Sequence, residues 1–116
     1  MATALVSASW TVFDRTVENA PHSLRKGPRG GGRDRDAIVE HVLSAEIAYA
    51  RKLGLRLPQP AVGDAAATRK HRNAIVAGLR AGTKGITEGG WPARYAARRI
   101  AWHAVDHAWE IEDRID

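Results

Sequence analysis

The sequence predicts an all-α domain, a four-helix bundle, and three observations carry that reading. Apolar residues recur every three or four positions in four separate segments. The stretches between the segments are rich in glycine and proline, which punctuate helices. No segment alternates with the period of two that marks a strand. The chain has 116 residues, enough for one small domain with a modest core and too few for a second.

The first segment spans residues 3–19, where Val6, Trp10, Phe13 and Val17 fall on one face. Asp14, Arg15 and Glu18 face away, and Pro21 stops the helix. Residues 21–33 read as a loop, with Asp34 as the N-cap of a second helix over residues 35–53. Ile38, Val42, Ala45, Tyr49 and Leu53 supply its apolar side, and Gly54 fits its C-terminal stop. A linker over 55–63 carries Pro58 and Pro60. The third helix covers 64–81, capped by Asp64, with the stripe Thr68, His71, Ile75 and Leu79. After a glycine-rich linker over 82–90, Trp91-Pro92 opens the last helix, which runs over 92–114. Up-down connectivity is the simplest arrangement, and a crossover stays open.

Composition narrows the function. There is no cysteine, so disulfides, iron–sulfur clusters and cysteine nucleophiles are excluded. The N-terminus lacks a signal-peptide pattern and no stretch is long enough to span a bilayer, so the expectation is a soluble cytoplasmic protein. The formal net charge of +5 invites a nucleic-acid reading. The densest basic stretch, Arg25, Lys26 and Arg29 with Arg33 and Arg35, is interrupted by Asp34 and Asp36. It holds no aromatic residue on which a base could stack. A solvated loop is the better reading.

The last helix carries the chemistry. With His103 at the origin of a helical wheel, His107 falls about 40° to one side and Glu110 about 20° to the other. Tyr95, Trp102 and Trp109 cluster on one flank, and Ile100, Ala104 and Ile111 on the other. Polar groups centred on a core-facing arc need partners, and a metal ion is a good one. The His-x3-His spacing lets two imidazoles reach one ion from a single helix. His41, beside small Ala45 and Ala48, is the third candidate ligand. A buried histidine bonded to a carbonyl or carboxylate is the alternative for His41 taken alone. His71 reads as a partly exposed, satisfied histidine, with fourth ligand as the alternative. Glu110 reads as a fourth ligand, a general base, or a partner of Arg114. Asp106 reads as a member of a surface ion pair at the helix edge, with orienting an imidazole as the alternative. Arg99, one turn before His103, either attracts an anionic substrate or sits solvated at an edge.

A glycine-rich loop leading into a capped helix with one histidine (GGGRDRDAIVEHVLSAE), and a last helix reading AWHAVDHAWEIEDR, resemble the DinB/YfiT-like superfamily. The resemblance implies a metal-binding four-helix bundle in which the second helix gives one histidine and the fourth gives His-x3-His. These map onto His41, His103 and His107. Its members have a long crossover between helices two and three, for which the linker here is short. The chain is also shorter than typical members between helices three and four. The resemblance implies thiol S-transfer or hydrolysis at a divalent ion, zinc or nickel first and iron or manganese next. Glu110 would be the base, and the substrate a small thiol or anion. A metal-binding protein without a substrate is the competing expectation.

Tyr95, Trp102 and Trp109 repeat every seven residues. Such a stripe is more often core than interface. Yet the last helix is apolar over more than half a turn, more than a small bundle can hide. The expectation is a homodimer.

Overall fold

A computed structural model describes residues 2–26, 32–82 and 89–115. Four helices follow in order: α1 (Ala2–Asn19), α2 (Arg35–Lys52), α3 (Ala65–Ala81) and α4 (Ala93–Asp113). There is no strand among the described residues, and no described helix is long and apolar enough to cross a membrane. Arg29 of the basic stretch and most of the linker before α4 lie outside the described residues.

Each helix boundary has a local cause. Asp64 caps α3, its side chain accepting from the backbone N–H of Ala67 at 3.0 Å. Asp34 stands at the N-cap position of α2 but does not cap it. Its carboxylate instead accepts from the Leu24 backbone N–H at 3.1 Å and from Lys26 Nζ, tying the preceding loop to α2. At the other end, Gly54 adopts φ +81°, the left-handed conformation that lets the chain leave the helix. The N–H groups of Leu53 and Leu55 both reach the Ala50 carbonyl.

The order of contacts fixes the directions. The end of α1 meets the start of α2, where Arg35 donates to the Ala20 carbonyl and its backbone N–H to that of His22. Arg33, just before α2, reaches Glu110 near the end of α4, and the Trp91 N–H reaches the Lys52 carbonyl at the opposite end. So α2 runs antiparallel to both α1 and α4. Along α3, His71 meets Glu46 of α2, while Leu55, just past α2, lies where a Cβ on Gly78 would stand 2.6 Å from it. That places α2 and α3 parallel. The simplest up-down arrangement is therefore not the one found: the linker over 53–64 crosses back along the bundle.

The core collects Val6, Trp10 and Phe13 from α1, Ile38 and Val42 from α2, and Ile75 and Leu79 from α3. From α4 it takes Ala97, Ile100, Ala104, Ala108 and Ile111. Ile38, Ile75, Ile100 and Ile111 are wholly buried, and each such side chain stabilises by roughly 2 kcal/mol. The inward arc of α4 is mostly alanine. The tryptophan stripe is therefore not core: Trp102 is 74% exposed and Trp109 60%. Alanines occupy the inward positions and let α1 approach closely, which turns the large rings outward.

One carboxylate lies inside this core. Glu46 Oε2 accepts from Trp10 Nε1 at 2.8 Å, and Oε1 lies 3.0 Å from His71 Nε2. Both the Glu46 and His71 side chains are 1% exposed. His71 is thus buried and bonded, not partly exposed. The Arg72 guanidinium covers the Trp10 ring and pairs with Asp14 at 2.7 and 2.8 Å, shielding the cluster from outside. Glu46 joins α1, α2 and α3 in one node. Glu46→Ala removes the hydrogen-bond partner of two buried ring nitrogens, and we expect a loss of about 3 kcal/mol in urea unfolding. A loss below ~1 kcal/mol would show that the node does not hold the three helices.

Candidate metal centre

The antiparallel pairing of α2 and α4 puts His41 opposite the His-x3-His turn. His41, His103 and His107 each offer a ring nitrogen, and these lie within 4.8 Å of one another. The His41 and His103 Nε2 atoms are 3.2 Å apart. The contact is a ring-to-ring hydrogen bond, and its length is close to the ~3.3 Å between two nitrogens bound tetrahedrally at about 2.0–2.1 Å from one zinc. The His107 ring sits 4.4 Å from His103 and 4.7 Å from His41, centroid to centroid. The three rings come together on the α2–α4 seam at the edge of the core rather than in the centre of a buried arc. His103 and His107 are half-buried and His41 is exposed.

Glu110 sets the orientation of His107. Its Oε1 lies 2.7 Å from His107 Nδ1, one turn back along the same helix. An ionised carboxylate only accepts, so Nδ1 carries a proton and Nε2 is the ring nitrogen that remains for an ion. A carboxylate behind a metal-binding imidazole is the common outer partner of such sites. The Arg33 guanidinium reaches Glu110 from the loop before α2, at 3.1 and 3.4 Å. Glu110 therefore pairs with His107 and Arg33, and not with Arg114. Arg114 instead donates to the Arg25 carbonyl.

The electrostatics suit ligand chemistry. Burial first, then the positive charge His107 and His41 would carry, push His103 from its ordinary value of 6.5 down to about 4. Burial, followed by His107 and Arg33, also lowers His41. Both are neutral at pH 7, and a neutral imidazole is the form that binds a metal. Burial raises the Glu110 carboxyl, but the His107 hydrogen bond and the Arg33 charge outweigh it, so Glu110 is held below its usual range and ionised. His103 Nδ1 is buried with no protein partner among the described residues.

The surroundings are aromatic. Tyr49 meets His103 edge-on at 5.7 Å and stacks near Trp91 at 5.5 Å. Arg99 lies over the Tyr49 and Trp91 rings at 5.7 and 5.6 Å, beside His103 at the edge of the site. Asp106 is exposed. His71 belongs to the Glu46 node, away from the three rings. Arg33 escapes the sequence reading because it sits in a basic loop that looks solvated. Glu46 escapes it as well, although a lone carboxylate in the run SAEIAYA is the signal that could have marked it. Compared with known proteins, the chain matches no family model, no curated protein and no solved structure.

The His103 shift has a sign that can be measured on metal-free protein. Between pH 6.5 and about 4 the unfolded chain binds a proton that the folded His103 refuses. Its contribution to stability is thus complete above 6.5 and is lost as the pH falls toward 4. We expect the unfolding free energy of the chelator-treated parent to fall more steeply over that window than that of His103→Gln. Equal slopes would show that His103 keeps an ordinary pKa.

Proposed function

We propose that this is a DinB-like metal-binding protein that holds one divalent ion on His41, His103 and His107. We propose further that it works as a metal-dependent enzyme of the thiol S-transferase or hydrolase type. The observation that carries the reading is the meeting of three imidazoles from two helices, one of them backed by Glu110. The donor set fits: three imidazole nitrogens suit zinc or nickel first, and iron or manganese next. A divalent ion there supplies a Lewis acid that makes a thiol or a water more acidic near neutral pH.

The rest of the chemistry belongs to the chain. Glu110 holds the proton on His107 Nδ1 and fixes the ring. With its carboxyl below the usual range it is a weak base, since a general base works best with a pKa near the working pH. Its role in this reading is positioning, in place of the base expected from the sequence. Arg33 balances the charge of Glu110 and sets its direction. Tyr49 and Trp91 wall one side, and Arg99 at the mouth attracts the carboxylate of a small thiol or other anionic substrate.

A second reading is a metal-binding protein without a substrate, which rests on the same three imidazoles. Elemental analysis of tag-free protein should find about one ion per chain, lost in His103→Ala. Equal metal in parent and variant would remove the site. Glu110→Gln should weaken metal binding by about 10–100-fold while leaving stoichiometry unchanged. A thiol-conjugation assay with and without chelator separates the two readings: chelator-sensitive turnover supports the enzyme, and none at full metal occupancy supports the second.

A further inference from the structure

Every large apolar side chain that stays exposed among the described residues lies on one side of the molecule. Leu5 is 48% exposed and Val12 44%, both on α1. On α4, Tyr95, Trp102 and Trp109 are 43%, 74% and 60% exposed, and Ile115 follows just past its end at 36%. The residues within each helix are seven apart, so each set forms a straight ridge. Leu5, Ala8 and Val12 share one hollow with Tyr95, Trp102 and Trp109. Val12 and Asn19 share the next with Glu112 and Ile115, so α1 and α4 run parallel and the ridges lie side by side. Between them the groove is lined by Ser9, Ala101 and Val105, and it runs on to Tyr49, Arg99 and His103 beside the candidate metal centre. The two tryptophans alone present on the order of 300 Å² of ring surface. With the other ridge residues, the patch reaches the upper range for a lone soluble protein, about 600 Å².

The charges beside the α4 ridge are segregated. Arg94, Arg98 and Arg99 are exposed in its first half, and Asp106, Glu112 and Asp113 in its second. None of Arg98, Asp106 and Asp113 forms a side-chain ion pair with a described residue. Turn a second copy about a two-fold axis passing between Val105 and Asp106. Trp102 of one copy then faces Trp109 of the other, and Arg98 faces Asp113. A parallel arrangement would set arginine on arginine. A surface complementary to itself under a two-fold rotation closes into a dimer and goes no further.

We infer that the α1–α4 face binds a second copy of this chain, with the two α4 helices antiparallel across the tryptophan ridge. The inference does not depend on the metal centre. Light scattering coupled to size-exclusion chromatography at tens of micromolar tests it. The parent elutes at twice the chain mass of 12.6 kDa. Trp102→Glu elutes as a monomer, with parental helicity by circular dichroism because the ring is not in the core. Arg98→Glu and Asp113→Arg each weaken the dimer at least tenfold, and the double variant recovers it. That recovery reads the register even if the tryptophan variant fails to fold. A monomeric parent overturns the inference, and one that also cosediments with phosphatidylcholine vesicles assigns the face to a membrane instead. A dimer indifferent to Trp102→Glu, or no recovery in the double variant, overturns the face or the register.

Discussion

The arrangement of the whole molecule depends on how closely α1 can approach α4. Ala97, Ala101, Ala104 and Ala108 are all essentially buried and have almost no side chain to hold the helices apart. With alanine inward, the rotation of α4 about its own axis is set. His103 and His107 then turn toward α2, and Trp102 and Trp109 turn to the outside. A bulkier residue at Ala101, which lies beside Ala8 and Ser9 of α1, would push α1 away and rotate both sets together. The meeting of the three imidazoles and the exposed ridge are two results of one packing constraint.

A second constraint acts at the far side of the bundle. Glu46 is a polar side chain buried in the core, and its two oxygens are each used by a different helix. Such a node is a poor source of raw stability, because desolvation of the carboxylate offsets much of what the hydrogen bonds return. Its effect is on specificity. Only one axial setting of α3 brings His71 to Oε1, and that setting is the one in which Leu55 lies over Gly78. The parallel run of α2 and α3 is held at these two points.

The four helices were legible in the sequence to within a residue or two, because amphipathic spacing and Gly/Pro punctuation are local signals. The histidine trio was legible for a related reason: His103 and His107 share a helix, and helical spacing alone puts them on one side. What local spacing cannot state is which arc of a helix faces inward when two apolar arcs compete. On α4 the tryptophans looked the better core by size, and the alanines won by allowing close approach. The Asp34 carboxylate went to Leu24 and Lys26 rather than to its own helix, a choice made by the fold of the preceding loop. Arg33 and Glu46 depend on partners 77 and 25 positions away, which no short window contains.

His41 and His103 are 62 positions apart in the chain, yet their ring nitrogens nearly touch. Any ion shared between them would act as a removable cross-link, closing a long loop and taking freedom mainly from the unfolded chain. Of the four helices, α2 and α4 would then be fastened directly, while α3 would stay held by Glu46, by the Arg72–Asp14 ion pair and by its apolar contacts. The cell's supply of metal would in that case govern how long each molecule survives, quite apart from any reaction at the site.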